Sequence, residues 1–293
     1  MTPVITGSPH SRETSAPMPW VTMAWVSLLL LVCYGSLVKV LINIWLTNED
    51  MGHGMFVPVI AGYIAWQKRA QLARMTPQTN WWGLAVMVWA LVQLYIGTLG
   101  AELFLARTSL VLSIAGVLLL VGGTQYLNTF AFPIFLLFFM VPIPAIIYNQ
   151  ITFPLQLIAS AAAEQTITLL QIPVIREGNV LVLANQSLNV VEACSGIRSL
   201  LTLTFLSLVY GYFFEKRNWV RVFLFFATIP IAIVANAGRV TLAGVFAQYK
   251  PEWAEGLAHE AQGWVIFMVA LVFLLAVHQA VIRVTNVVNR RTA

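Results

Sequence analysis

Cys194, Arg239 and His259 bring a thiol, a guanidinium and an imidazole, the parts needed for covalent acyl transfer. A thiolate attacks a carbonyl carbon, an imidazole takes and returns protons, and a guanidinium stabilises the oxyanion as its charge develops. The cysteine lies in VVEACSGIRSL, residues 190–200. An apolar strand-like run, Leu188 to Val191, leads in, and an apolar helical run, Ile197 to Phe214, leads out. Cys194 is therefore expected where a strand turns into a helix. The first turn there offers unpaired N–H groups and the positive end of the helix dipole, a setting that favours thiolate. Arg198 lies one turn on, on the same face, and adds positive potential. A lone cysteine in a membrane protein is more often a small apolar filler, so the reading depends on what else shares its depth.

The elements that must position these residues are membrane helices. The chain has 293 residues, 59% hydrophobic and 9% charged, with mean hydropathy +0.82; soluble domains carry about 25% charged residues. An all-α polytopic membrane protein is expected, with about eight transmembrane helices and a short extracytoplasmic β-hairpin. Residues 1–19 are polar and are expected to form a disordered cytoplasmic tail, 20–284 one integral domain, and 285–293 a basic cytoplasmic tail. No A-x-A-like cleavage site follows the first apolar run, and two cysteines, Cys33 and Cys194, make no disulfide framework. The expected spans are Trp20–Leu46, Met55–Gln67, Trp81–Leu99, Leu103–Val121, Phe130–Tyr148, Ile197–Phe214, Val220–Val245 and Gly263–Val284. Gly122–Gly123 is read as the turn between the fourth and fifth, and prolines kink the outer end of the fifth. Ile151–Leu170 is interrupted by Gln156, Glu164 and Gln165 and is read as a helix packed on the protein or lying near the interface, although a crossing sixth segment with a re-entrant fifth gives the same parity. Alternating Val and Leu around Glu177-Gly178-Asn179 predicts the hairpin.

Loop charge orients the helices. Arg12, Lys68, Arg69, Arg74, Lys216, Arg217, Arg221, Arg283, Arg290 and Arg291 fall on one side, the cytoplasmic one, and most of the acidic residues on the other. Asn236 and Arg239 come 16 and 19 residues after the span enters at Val220. At 1.5 Å per residue that is roughly 24 to 29 Å, which brings both to the outer leaflet, and their spacing puts them on one face. His259 precedes the last span by about one turn, in an outer loop, and His53 lies in the first outer loop. Cys194, Arg239 and His259, distant in sequence, are thus expected at one depth. An arginine inside a span is a functional candidate by default; a structural pair between Arg239 and Glu192 is the plainer alternative. Asn236 and the N–H groups of Ser195 and Gly196 are supporting oxyanion donors. Arg107 is read as the structural partner of Glu102 or Glu49, and His278 as a satisfied buried histidine. His53, His259, Asp50, Glu192, Glu260 and Cys194 lie outside together, but no H-E-x-x-H is present and no metal is assigned. No P-loop and no G-x-S-x-G occurs, and the net charge of +5 is sorted by membrane side rather than gathered for nucleic acid. On residues alone a second reading stays open: a transporter or a lipid- or glycan-binding scaffold that uses the outer cluster without covalent chemistry. No inverted repeat supports transport.

EDMGHGMFVP (49–58), FPIFLLFFMVPIP (132–144), VVEACSGIRSL (190–200), PIAIVANAGRV (230–240) and HEAQGWVIF (259–267) together resemble the exosortases, eight-span membrane cysteine transpeptidases related to archaeosortases. The resemblance runs from about Asn48 to Phe267. It implies Cys194 as nucleophile, Arg239 and His259 as the other catalytic residues, and no cofactor. It also implies a site facing the periplasm at the bacterial inner membrane. The implied partners are membrane-anchored proteins with C-terminal PEP-CTERM-like tails, in a setting of exopolysaccharide or biofilm export; the acceptor nucleophile, with a glycan or lipid and water as candidates, leaves no mark in the sequence. Arg198, Asn236, Ser195, Gly196, Glu192 and His53 are carried as substrate-binding or supporting residues, Arg198 through charge complementarity to an acidic residue of the sorting motif.

Overall fold

A computed structural model describes residues 20–184, 186–190, 196–249 and 256–292, with backbone alone for 20–24, 27, 256–260 and 289–292. The expected tail 1–19 lies outside the described residues. The chain divides into two compact units, one comprising residues through Thr47 and Gly54–Val141, the other Asn48–His53 and Pro142–Ala293. Among the described residues six helices are long and apolar enough to cross a membrane: 28–47, 82–99, 103–140, 197–214, 218–249 and 261–288.

The first unit holds α1 (Trp20–Thr47), α2 (Phe56–Gln67), the single turn α3 (Arg69–Leu72), α4 (Trp82–Leu99) and α5 (Leu103–Leu137). Lipid supplies no hydrophobic drive between helices, so they associate where small residues let backbones approach. A Cβ on Gly83 would lie 2.2 Å from the Leu120 amide nitrogen, and one on Gly97 2.6 Å from that of Ala106. The two glycines mark the ends of a tight α4–α5 hairpin. Buried hydroxyls are satisfied, as they must be away from water: Tyr34 on α1 meets Ser113 Oγ at 2.7 Å and the Ser109 carbonyl at 3.2 Å.

Helix α5 breaks at Gly123, whose φ of 70° and ψ of −165° are open to glycine and strained for other residues. Lys68, at the end of α2, donates to the Thr129 carbonyl, and Trp45, beside Gly54 before the start of α2, donates to that of Met140 at 2.9 Å. The stretch from Thr129 to Met140 therefore retraces the height of α2, and the chain turns back at Gly123. This is the expected Gly-Gly turn, although the helices on either side run on as one element. Two further expectations change. The fifth span ends at Met140 rather than Tyr148, because Pro142 and Pro144 stop it. The count of about eight is not reached by length and hydropathy, because α2 has only 12 residues and the fourth and fifth segments are joined.

The second unit holds α6 (Ala145–Leu169), a three-stranded antiparallel sheet, α7 (Ile197–Phe214), α8 (Asn218–Tyr249) and α9 (Gly256–Thr292). The polar residues of α6 serve the sheet. Ser160 donates to the Gly178 carbonyl at 3.0 Å, and Glu164 pairs with Arg176 at 2.9 Å. Strands β1 (Val174–Glu177) and β2 (Val180–Leu183) form the expected hairpin about Gly178, at φ 66°. A third strand, β3 (Ser187–Asn189), adds to β2 with Leu181 opposite Leu188. The period-2 pattern buries Leu181 and Leu183 against Ala159, Ala163 and Ile167 of α6 and Val240 and Ala247 of α8. The boundaries of α7 match expectation. Those of α8 and α9 extend further, and His259 lies within a helix rather than a loop. Apolar runs mark only the part of a helix that meets lipid, whereas Leu257, Ala258, Glu260, Ala261 and Gln262 are all good helix formers.

At the end of α7 farthest from Gly196, Tyr210, His278 and Glu215 form a buried chain. Tyr210 Oη lies 2.8 Å from His278 Nδ1, and His278 Nε2 lies 3.1 Å from Glu215 Oε2. Glu215 also accepts from the Arg217 amide at 2.8 Å, and Arg221 closes the turn by donating to the carbonyls of Gly211 and Glu215. His278 is thus the satisfied buried histidine expected. Burial alone pushes the Glu215 carboxyl up, but the Arg217 amide and then His278 outweigh it and hold it below the usual carboxylate range. A depressed carboxylate stabilises the fold above its unfolded pKa of about 4.3 and loses that contribution as pH falls through the lower folded value. Thermal unfolding in detergent should therefore show stability falling below about pH 4, and H278A should cost about 3–5 kcal/mol at neutral pH by leaving Glu215 buried without its partner.

Candidate active site

Gly196 caps α7 in the left-handed region, at φ 73°, and is buried. A Cβ there would stand 2.8 Å from Asn236 Nδ2, so the Asn236 amide of α8 lies directly on the residue that starts α7. Three residues on, Arg239 reaches the other neighbour. A Cβ on Gly263 of α9 would stand 3.2 Å from the Arg239 Cζ and Nη2. Two polar side chains, about one turn apart on α8, thus meet glycines on the helices to either side. Glycine admits them because a larger residue would occupy the space the amide and the guanidinium fill. A small cleft of about 10 Å³ opens here, lined by Leu155, Gly196, Leu200, Ala232, Ile233 and Asn236.

Cys194, Ser195 and Glu192 lie outside the described residues, as does the side chain of His259. Cys194 precedes Gly196 by two residues, and His259 precedes Gly263 by four, one turn of the same helix. The described neighbours of the expected trio are accordingly the two glycines that Asn236 and Arg239 touch. A pairing of Arg239 with Glu192 falls outside the described residues.

Arg198 is placed differently from its expected role. Its Nη2 lies 2.5 Å from Glu49 Oε2 and its Nε 3.3 Å from Asp50 Oδ1. Tyr148 of α6 donates to the other Asp50 oxygen at 2.6 Å. The guanidinium that charge complementarity offered to an incoming acidic residue already carries two carboxylates, and it ties the segment 48–53 to α7. That segment forms a short 3₁₀ helix, Glu49–Met55, in which His53 is buried with its ring centroid 6.3 Å from that of Phe205 on α7. From sequence, Asp50 entered only among the outer residues weighed for a metal and Glu49 only as a partner for Arg107, and neither they nor Tyr148 was assigned to Arg198. The acidic pair was visible beside His53, but a separation of 148 residues from Arg198 left no local signal of the contact. The expected pairing of Arg107 is likewise absent: Glu49 serves Arg198, and Glu102 makes no ion pair with Arg107 among the described residues.

The family model described as Transmembrane exosortase (Exosortase_EpsH) matches residues 45–276. No curated protein and no solved structure matches the chain.

Two outcomes test this geometry. G196A should lower stability by about 1–3 kcal/mol, since alanine is strained at positive φ and its Cβ meets Asn236; chemical denaturation compares the variants. A double-mutant cycle of R198M with D50N should give a coupling of about 0.5–3 kcal/mol. The pair is partly exposed, which places the value toward the lower end.

Proposed function

The chain belongs to the transmembrane exosortase family, a family of membrane transpeptidases that act on proteins bearing sorting signals, and from that premise we propose that it cleaves C-terminal PEP-CTERM-type tails at the periplasmic face of the inner membrane through a thioacyl-enzyme. It crosses the bilayer eight times in this reading, with α2 counted and α5 counted twice about Gly123. Cys194 is the nucleophile. Its thiolate adds to the scissile carbonyl carbon, forming the S–C bond, and the developing oxyanion is met by Arg239, with Asn236 and the amides of Ser195 and Gly196 as further donors. His259 protonates the leaving amine as the C–N bond breaks. The acceptor, a glycan or lipid nucleophile or water, then loses its proton to His259 and attacks the thioester, and the thiolate leaves. The work ties protein sorting to exopolysaccharide or biofilm export.

The observation that carries this reading is the pair of contacts on α8. Asn236 meets Gly196, two residues past Cys194, and Arg239 meets Gly263, one turn past His259. An intramembrane arginine is costly, and here it lies beside α9, the helix that includes position 259, on the same helix as the Asn236 that meets Gly196 at the start of α7. Arg198 enters as a positioning residue for the segment carrying His53, not as a substrate ligand.

Processing of a tail-bearing substrate, followed by gel shift in membranes, tests the proposal. C194A should abolish processing, R239M should slow it by about 10²–10³-fold, and H259A by about 10²–10⁴-fold. Mass spectrometry of wild type with substrate should find an acyl group on Cys194. Unchanged processing by C194A would sink the mechanism and return the cluster to non-covalent binding.

A further inference from the structure

The polar residues that interrupt α6 fall on one line. Gln156, Ser160 and Glu164 are each four residues apart and share a helix face. Gln156 and Ser160 are buried, and Glu164 is half-buried. All three reach the turn between β1 and β2. Ser160 shares its hydroxyl hydrogen between the Leu157 carbonyl of its own helix and the Gly178 carbonyl, both at 3.0 Å. Glu164 accepts from Arg176 Nε at 2.9 Å, and the same guanidinium donates through Nη1 to the Gly178 carbonyl at 3.1 Å. Asn179 Nδ2 lies 3.5 Å from Gln156 Oε1. The turn passes this hold on, because the Asn179 carbonyl accepts from the Val190 amide at 3.1 Å. Val190 is fully buried and precedes Cys194 by four residues.

The stretch that carries the thiol therefore leaves one anchored residue and enters another. Val190 is held from α6 through the turn, and Gly196, two residues past Cys194, lies against the Asn236 amide. Packing alone does not call for the polar line on α6, since Ala159, Ala163 and Ile167 on the neighbouring face already pack against Leu181 and Leu183. Apolar contact is non-directional, whereas a hydrogen bond fixes where its partner stands. A nucleophile needs that precision, because a displacement of about 1 Å costs on the order of 10²-fold in rate. We infer that Gln156, Ser160 and Glu164, together with Arg176, are positioning residues for Cys194: they set the height of the hairpin turn and, through it, of the chain that delivers the thiol. The inference rests on the reading of Cys194 as nucleophile and extends the machinery to residues that touch no reacting atom.

The test uses the full chain in detergent, in a C33S background that leaves Cys194 as the sole cysteine. S160A and R176M each withdraw a donor from the Gly178 carbonyl. They are compared with T168A, on the exposed side of α6. The first readout is the rate at which iodoacetamide alkylates Cys194 near neutral pH, followed by mass spectrometry. S160A and R176M should be slowed by roughly tenfold, since a thiol carried off the first turn of α7 is held less as thiolate, and T168A should not. R176K keeps the charge without the fork that reaches both partners, and should fall between. The second readout is processing of a tail-bearing substrate, in which kcat should drop by on the order of 10²-fold with KM unchanged. Alkylation of S160A and R176M at the wild-type rate overturns the inference even if their thermal midpoints fall, because the polar line then serves the fold alone. A loss confined to KM overturns it too. If S160A does not fold, R176M decides, its side chain being partly exposed. Processing that persists in C194A sinks the nucleophile reading instead, and the alkylation arm keeps that failure distinct: slowed alkylation still supports positioning of the thiol from α6.

Discussion

A polar side chain inside a membrane span must be met by another group, since lipid offers none. On α8 this constraint falls on Asn236 and Arg239, which lie in close contact with Gly196 on one side and Gly263 on the other. The two contacts hold three helices together at one level. They also explain why glycines stand at those positions: Gly196 needs its left-handed backbone and has an amide against it, while Gly263 leaves the space a guanidinium occupies. Every residue proposed for the chemistry is within a few positions of one of these contacts.

At the other end of the same helices the polar chain Tyr210–His278–Glu215 ties α7, the α7–α8 turn and α9. Buried ionisable groups are poor sources of net stability, but breaking one partner from another is costly. The network thus specifies how α9 is seated relative to α7 more than how strongly. Arg198 does similar work nearer the site. By holding Glu49 and Asp50 it brings a segment distant in sequence over α7, and His53 is buried there as a result.

Much of this was legible in the chain. Apolar runs placed α7 to the residue, the Glu177-Gly178-Asn179 turn announced the hairpin, and Gly122–Gly123 marked the reversal in α5. These are local signals, set by backbone freedom at glycine and by side-chain periodicity. The extension of α9 past His259 was missed because hydrophobicity stops at the lipid boundary while helix propensity does not. The strand-like run expected from Leu188 overlaps β3, Ser187–Asn189, but its pairing with β2 was not legible because three residues are too few to set a register. The pairing of Arg198 with Glu49 and Asp50, and the absence of an ion pair on Arg107 among the described residues, were not legible for one reason: charge in sequence gives a candidate's sign, not its neighbours.

The sequence by itself determined that the chain is a multi-pass membrane protein, the family to which it belongs, and that a thiol, a guanidinium and an imidazole were available. Hydropathy, loop charge and residue chemistry act locally and survive in one dimension. Only the tertiary structure decided which groups lie against which. It set Asn236 on Gly196 and Arg239 on Gly263, and gave Arg198 to Glu49 and Asp50. Pairing is a property of distance, and residues 148 apart in the chain come within hydrogen-bond reach only once the helices have packed.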